Sequence, residues 1–137
     1  MDAEIERCLT ECKTVAVVGL SPKAHRDSYR VSKYMQAQGY RIVPINPNAT
    51  EVLGERAYAT LSDAAKHERI DMVNCFRNSK DIPPIAQEAI AIGAKALWLQ
   101  LGITHAQAKQ AGLSVVEDRC LMVEHAQWLR QIKRRKN

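Results

Sequence analysis

The sequence predicts an α/β fold: a Rossmann-like, doubly wound, mainly parallel five-stranded sheet with helices on both faces. Three observations carry that reading. Residues 15–18 (VAVV) form an apolar, β-branched run without alternation, as expected of a strand covered on both faces. Gly19 ends the run and leads into a basic, hydroxyl-bearing loop and then a helix. Downstream, strand-like and helix-like segments alternate at the spacing of βαβ units, which close right-handed onto a parallel sheet.

In chain order, residues 1–12 (MDAEIERCLTEC) read as an acidic amphipathic helix, followed by the first strand at 15–18. A helix is expected from about Tyr29 to Gln38, with Ser28 as its cap and Gly39 ending it. Residues 40–45 (YRIVPI) give the second strand, stopped by Asn46-Pro47-Asn48, and a loop then runs through Gly54. A short helix at 61–67 precedes the third strand at 70–76 (IDMVNCF). Residues 82–92 (IPPIAQEAIAI) suit a helix, because proline is tolerated in a first turn and Gly93 can close the last. Residues 96–99 give the fourth strand, 104–111 a helix with Thr104 near its cap, 113–116 a fifth strand and 121–132 a final helix.

At 137 residues the chain is expected to form one domain, 1–137, with a basic tail at 133–137. Hydrophobic residues at 46% and charged residues at 26% exclude a disordered or fibrous chain. The net charge of +5 fits an anionic partner, but Lys133, Arg134, Arg135 and Lys136 supply four of the positive charges. Such a run reads as a solvated, frayed end, and the scarcity of aromatics argues against nucleic-acid binding. With no bilayer-length apolar stretch and no signal-peptide pattern, a cytoplasmic protein that does not meet membranes is expected. Cys8, Cys12, Cys75 and Cys120 form no CxxC pair and no Cys/His ligand spacing, so reduced thiols are expected, with neither a zinc site nor a disulfide framework.

The segment after the first strand has the build of a phosphate-binding corner. Unpaired amides at a helix start lie at the positive end of its dipole, where an anion meets donors and favourable charge together. Lys23, Arg26, Ser28 and Arg30 surround that start. In doubly wound sheets ligands bind outside the carboxyl ends of the strands, which here means residues 19–28, 46–48, 76–79 and 100–103. A redox dinucleotide is disfavoured. GLSPKAHRDS lacks the second and third glycines of GxGxxG, and Asn46-Pro47 stands where a carboxylate would meet the ribose. A longer loop with Arg26 and Ser28 instead suits a ligand carrying several phosphates. Asp27 would repel phosphate unless it turns away or pairs with Arg26 or Lys23.

GLSPKAHRDSYRVSKYMQAQGYRIVPINP, LGERAYATL, DMVNCFRNS, EAIAIGAKALWLQLGI and AGLSVVEDRC together resemble the small stand-alone coenzyme A-binding domain family, over residues 15–120. That family is similar to the coenzyme A-binding half of succinyl-CoA synthetase α-subunits. The resemblance implies that Gly19, Ser21, Arg26 and Ser28 hold the phosphates of coenzyme A, and by charge Lys23, Arg26, Arg30 and Arg77 are enough cations to meet them. It implies that Asn46 and Pro47 lie against the nucleotide, and that Phe76, Arg77 and Asn78 flank the adenosine or the start of the pantetheine arm. Gln100 and Gly102 would sit where the thiol end emerges. Asp27 stands where many relatives place an uncharged residue, and Cys75 brings a thiol beside the site. A ligand of this charge can be met by helix dipole, Arg and Lys without an obligatory metal.

No complete catalytic constellation is present. His25, His67, His105 and His125 occur singly, each read as surface or structural, and Trp98 follows the strand pattern into the core. Asp118-Arg119-Cys120 is the strongest candidate for chemistry, because an adjacent guanidinium favours thiolate. The alternative is that Arg119 pairs with Asp118 and Cys120 merely packs. Facing the ligand, Cys120 could form a mixed disulfide with coenzyme A. The expected function is binding of coenzyme A or an acyl-CoA without catalysis, by a monomer or weak homodimer. An NAD(P)- or acyl-CoA-dependent enzyme using the same pocket is the alternative.

Overall fold

The computed structural model describes residues 2–100 and 113–136. Helix α1 (Ala3–Glu11) is capped by Asp2, whose carboxylate accepts the Glu4 amide at 2.8 Å, and buries Ile5, Cys8 and Leu9. There follow β1 (Thr14–Val18), α2 (Asp27–Ala37), β2 (Arg41–Ile45), β3 (Glu51–Val52), β4 (Glu55–Arg56), α3 (Leu61–Ala65), β5 (Met72–Cys75), α4 (Ile82–Ala91), β6 (Ala96–Leu99), β7 (Ser114–Val116) and α5 (Leu121–Lys136). The expected helix at 104–111, and with it Thr104, His105 and Gly102, lies outside the described residues.

The main sheet has the order β2-β1-β5-β6-β7, with every pairing parallel. Chain order therefore reverses between β1 and β5, as in the flavodoxin-like variant of the doubly wound fold, and the crevice above that reversal is where such sheets take ligands. Strand periodicity divides the core in two. Val15, Val17, Ile42, Met72, Ala96 and Trp98 face α1, α2 and α5, whereas Ala16, Val18, Val43, Val73, Leu97 and Leu99 face α3 and α4. Trp98 is fully buried, as its place in the strand pattern predicts, and donates its indole N–H to the Arg119 carbonyl at 2.8 Å.

Both sheet edges are covered. On β2 the outward carbonyl of Pro44 accepts the Tyr58 amide at 2.9 Å, so the missing proline N–H falls on the side away from β1. On β7 the outward Val115 amide donates to the Glu4 carboxylate at 3.1 Å, which ties α1 across that edge. The β3–β4 hairpin stands where the sequence suggests only loop. Its two-residue turn puts Leu53 at φ 54° and Gly54 at φ 77°, and a leucine in the left-handed region gives no turn signal.

Three further expectations are corrected. Helix α2 starts at Asp27 rather than Tyr29. Arg26 is its cap residue and contributes no side-chain bond, so Ser28 is not the cap but the second helical residue, buried, with its hydroxyl turned to the preceding loop. The basic run 133–136 continues α5 rather than fraying, and Arg135 reaches the Glu6 carboxylate at 3.2 Å.

Candidate functional site

The carboxyl ends of β1, β2 and β5 bring together residues 19–28, 46–48 and 76–77, as the strand reversal requires. Gly19 leaves β1 at φ 85°, and its amide donates to the Ile45 carbonyl at 3.0 Å. A β-carbon there would lie 3.2 Å from Cδ of Arg77 and 3.7 Å from Cβ of Phe76, so glycine meets both a conformational and a spatial demand. Two hollows flank this point and share Gly19 and Ser21 in their walls. One, of about 420 Å³, is lined also by Lys23, Arg26, Asp27, Ser28 and Phe76. The other, of about 370 Å³, is lined by Val18, Ile45, Asn46, Pro47, Asn48, Ala59 and Arg77.

The loop is held by its own side chains. Ser28 Oγ accepts the Ser21 amide at 3.0 Å, and Ser21 Oγ accepts the Lys23 amide at 3.1 Å. Asn46 donates through Nδ2 to the Leu20 carbonyl at 2.9 Å and accepts the Asn48 amide at 2.8 Å through Oδ1. Ser28 and Asn46 therefore brace the loop from opposite sides. The first-turn amides of α2 have no acceptor within the helix and sit beside the first hollow.

The charges are unevenly matched. Asp27 neither pairs with Arg26 or Lys23 nor stands alone, because its carboxylate is bonded by Arg30 one turn along α2. Arg77 in the second hollow lies 3.8 Å from Asp81. Lys23 and Arg26 have no carboxylate partner among the described residues. The first hollow therefore presents two unmatched cations at the positive end of a helix.

Phe76 is half-buried: it packs on the core facing α2 and also walls the first hollow. Asn78 is exposed at the start of a 3₁₀ turn (Ser79–Asp81) and lines neither hollow. Gln100 is buried and donates through Nε2 to Asn74 Oδ1 at 2.6 Å. Sequence reading passed over Asn74, although an amide inside the apolar run IDMVNCF was its signal. Cys120 is half-buried, packs on the core and lines neither hollow, while its neighbour Arg119 pairs with Glu124 at 3.7 Å. Cys75 is fully buried on the α3–α4 face, and burial, against the opposing influence of Arg77, pushes its thiol up to about 11. Burial likewise pushes Cys8 up to about 12 and Cys12 to about 11, so all three stay protonated near neutrality.

The model of the CoA binding domain family matches residues 13–126. The chain belongs to that family. This CoA binding domain is 41% identical over 128 residues to the uncharacterized protein YneT of Bacillus subtilis (strain 168), covering 90% of this chain and 93% of that one. It is 37% identical, with a TM-score of 0.88, to the solved structure of a hypothetical protein from Pyrococcus horikoshii OT3, across 94% of this chain and 92% of the other. The same fold recurs in a dinucleotide-forming acetyl-coenzyme A synthetase 1 of Ca. Korarchaeum cryptofilum solved with phosphate and ADP. There the identity is 20% and the TM-score 0.67, and the match spans 80% of this chain but 26% of that one. A CoA binding domain takes a small nucleotide ligand. Among the described residues no helix is long and apolar enough to cross a membrane, and no three His, Cys, Asp or Glu side chains are grouped to hold a metal.

Proposed function

We propose that this CoA binding domain holds coenzyme A, or an acyl derivative of it, across the two hollows, with the diphosphate against the loop after β1, and performs no catalysis of its own. The observation that carries the reading is the pair of unmatched cations, Lys23 and Arg26, beside the free first-turn amides of α2. A diphosphate brings a matching charge, and guanidinium and amide donors bind it through charge-assisted hydrogen bonds. The close approach at Gly19 supports it further, since only a residue without a side chain leaves the backbone open there. Arg77 in the second hollow offers a third cation for the remaining phosphate. Binding without chemistry is supported by the walls: among the described residues lining either hollow there is no thiol and no imidazole, and the only carboxylate, Asp27, is engaged by Arg30.

The reading includes a monomer or weak homodimer that uses neither nucleic acid nor membrane. Calorimetric titration with coenzyme A, acetyl-CoA, NAD and NADP tests it. Coenzyme A or acetyl-CoA is expected to bind with the higher affinity and to be recovered unchanged after prolonged incubation. A preference for NAD or NADP refutes the ligand assignment, and turnover of acetyl-CoA refutes the absence of catalysis.

A further inference from the structure

Asp27 is an anion placed in the wall of a site read as binding anions, and its position is explained by one partner. It is the first residue of α2, lines the first hollow with Lys23 and Arg26, and is bonded by Arg30 at the i,i+3 position. Both members of the pair are well exposed, at 77% and 62% of their side-chain surface, so the pair contributes little to stability. For the same reason no strong force keeps Asp27 from another cation. An exposed carboxylate gains a similarly small amount from any guanidinium or ammonium about 4 Å away. Lys23 and Arg26 share its hollow and have no other carboxylate partner among the described residues. What favours Arg30 is geometry, since residues three apart on a helix face one another.

We propose that Arg30 is a positioning residue: by holding the Asp27 carboxylate along the outer face of α2 it keeps that charge off Lys23 and Arg26, and so leaves both cations available to a phosphate ligand. This rests on the reading that the first hollow takes phosphates. Without Arg30, Asp27 turns to the cations beside it and competes with the ligand from within the protein. With Asp27 neutralised, Arg30 has nothing to restrain.

The test is a double-mutant cycle on the full chain, titrated with coenzyme A at low ionic strength. Arg30→Ala is expected to weaken binding about fivefold, the size of one exposed ion pair that the ligand must then displace. Arg30→Lys recovers most of that affinity. Asp27→Asn binds as tightly as the wild type or a few-fold tighter, and adding Arg30→Ala to it changes affinity less than about twofold. A cation acting only through space would cost the same factor in both backgrounds, so equal losses overturn the proposal, as does an Arg30→Ala protein that binds like the wild type. Arg30 is exposed, so thermal melts of the variants are expected to overlay that of the wild type. If the wild type binds no coenzyme A, the parent reading fails, and the same five proteins titrated with inorganic pyrophosphate decide the inference: the same pattern supports it, and equal losses or no binding at all overturn it.

Discussion

Replacing Gly19 by Ala tests the fold and the site together. At φ 85° a β-carbon costs roughly 1–2 kcal/mol in backbone strain, because the left-handed region brings it against the neighbouring carbonyl. The added carbon would also stand 3.2 Å from Cδ of Arg77, a flexible side chain that can yield by a few tenths of an ångström at little further cost. The stability loss should therefore stay near 1–2 kcal/mol, read as a lower urea midpoint at unchanged m-value. Affinity for coenzyme A should fall as well, because Arg77 is displaced and the bare backbone at the junction of the hollows is covered. Gly39→Ala provides the comparison. At φ 96°, with nothing within 4 Å of the position a β-carbon would take, it carries similar backbone strain without the close approach. It is expected to lose similar stability and keep full affinity. Equal affinities for the two variants would refute the assignment of Gly19 to the site, and an unchanged urea midpoint for Gly19→Ala would refute the strain argument.

Arg26→Ala should weaken coenzyme A binding by about 1.5–3 kcal/mol, the range for a hydrogen bond to a charged group, and should flatten the dependence of affinity on salt; an unchanged dissociation constant removes Arg26 from the site. His125 is buried, bonded through Nδ1 to the Tyr34 hydroxyl at 3.0 Å, and held below the ordinary imidazole value by burial and then by the charge of Lys13. The unfolded chain therefore takes up the proton first, and folding stability should decline as pH falls below about 6.5 until the folded imidazole titrates too. His125→Gln should reduce that slope in urea unfolding followed from pH 7.5 to 5. Gln100→Leu removes the 2.6 Å donor to buried Asn74 and should cost about 1–3 kcal/mol, whereas Asn74→Leu with Gln100→Leu should cost less than the sum of the single changes.

Most of the architecture was legible because its signals are local and redundant. A doubly covered strand is a mainly apolar run: 15–18 and 96–99 are unbroken and 72–75 is interrupted only by Asn74, between helix-period segments that end at Gly39 or Gly93. The misreadings fall where a local rule is overridden by a longer contact. Serine before a helical run normally caps it, but Ser28 is drawn inward by the Ser21 amide seven residues back, and the helix begins earlier. The β3–β4 hairpin escaped notice because its turn uses a leucine where asparagine or glycine would announce it. Its geometry is held instead from α2, where Gln36 donates to the Leu53 carbonyl at 3.0 Å. The basic run at 133–136 looked like a solvated end, yet Glu6 on α1 supplies a partner for Arg135 that no pattern within the run could reveal.

The site shows a different limit. Residue type and position point to a neighbourhood, but they do not separate side chains free to meet a ligand from side chains bracing the protein. The resemblance implies that Asn46 lies against the nucleotide; Asn46 lines the second hollow, and its side chain also bonds the Leu20 carbonyl and the Asn48 amide. Ser28 and Gln100 are spent in the same way, on Ser21 and Asn74. Once those bonds are assigned, the groups left to meet an anion are few: Lys23, Arg26 and the opening amides of α2, with Arg77 beyond Gly19. Short polar side chains are consumed by the loop because a backbone that curves sharply past Gly19 needs fixed partners. Long cationic ones stay available because they reach past that scaffold. An arrangement of this kind makes rigid geometry and ligand charge separable: Asn46 and Ser28 should govern the shape of the corner, and Lys23 and Arg26 the strength and salt dependence of what binds there.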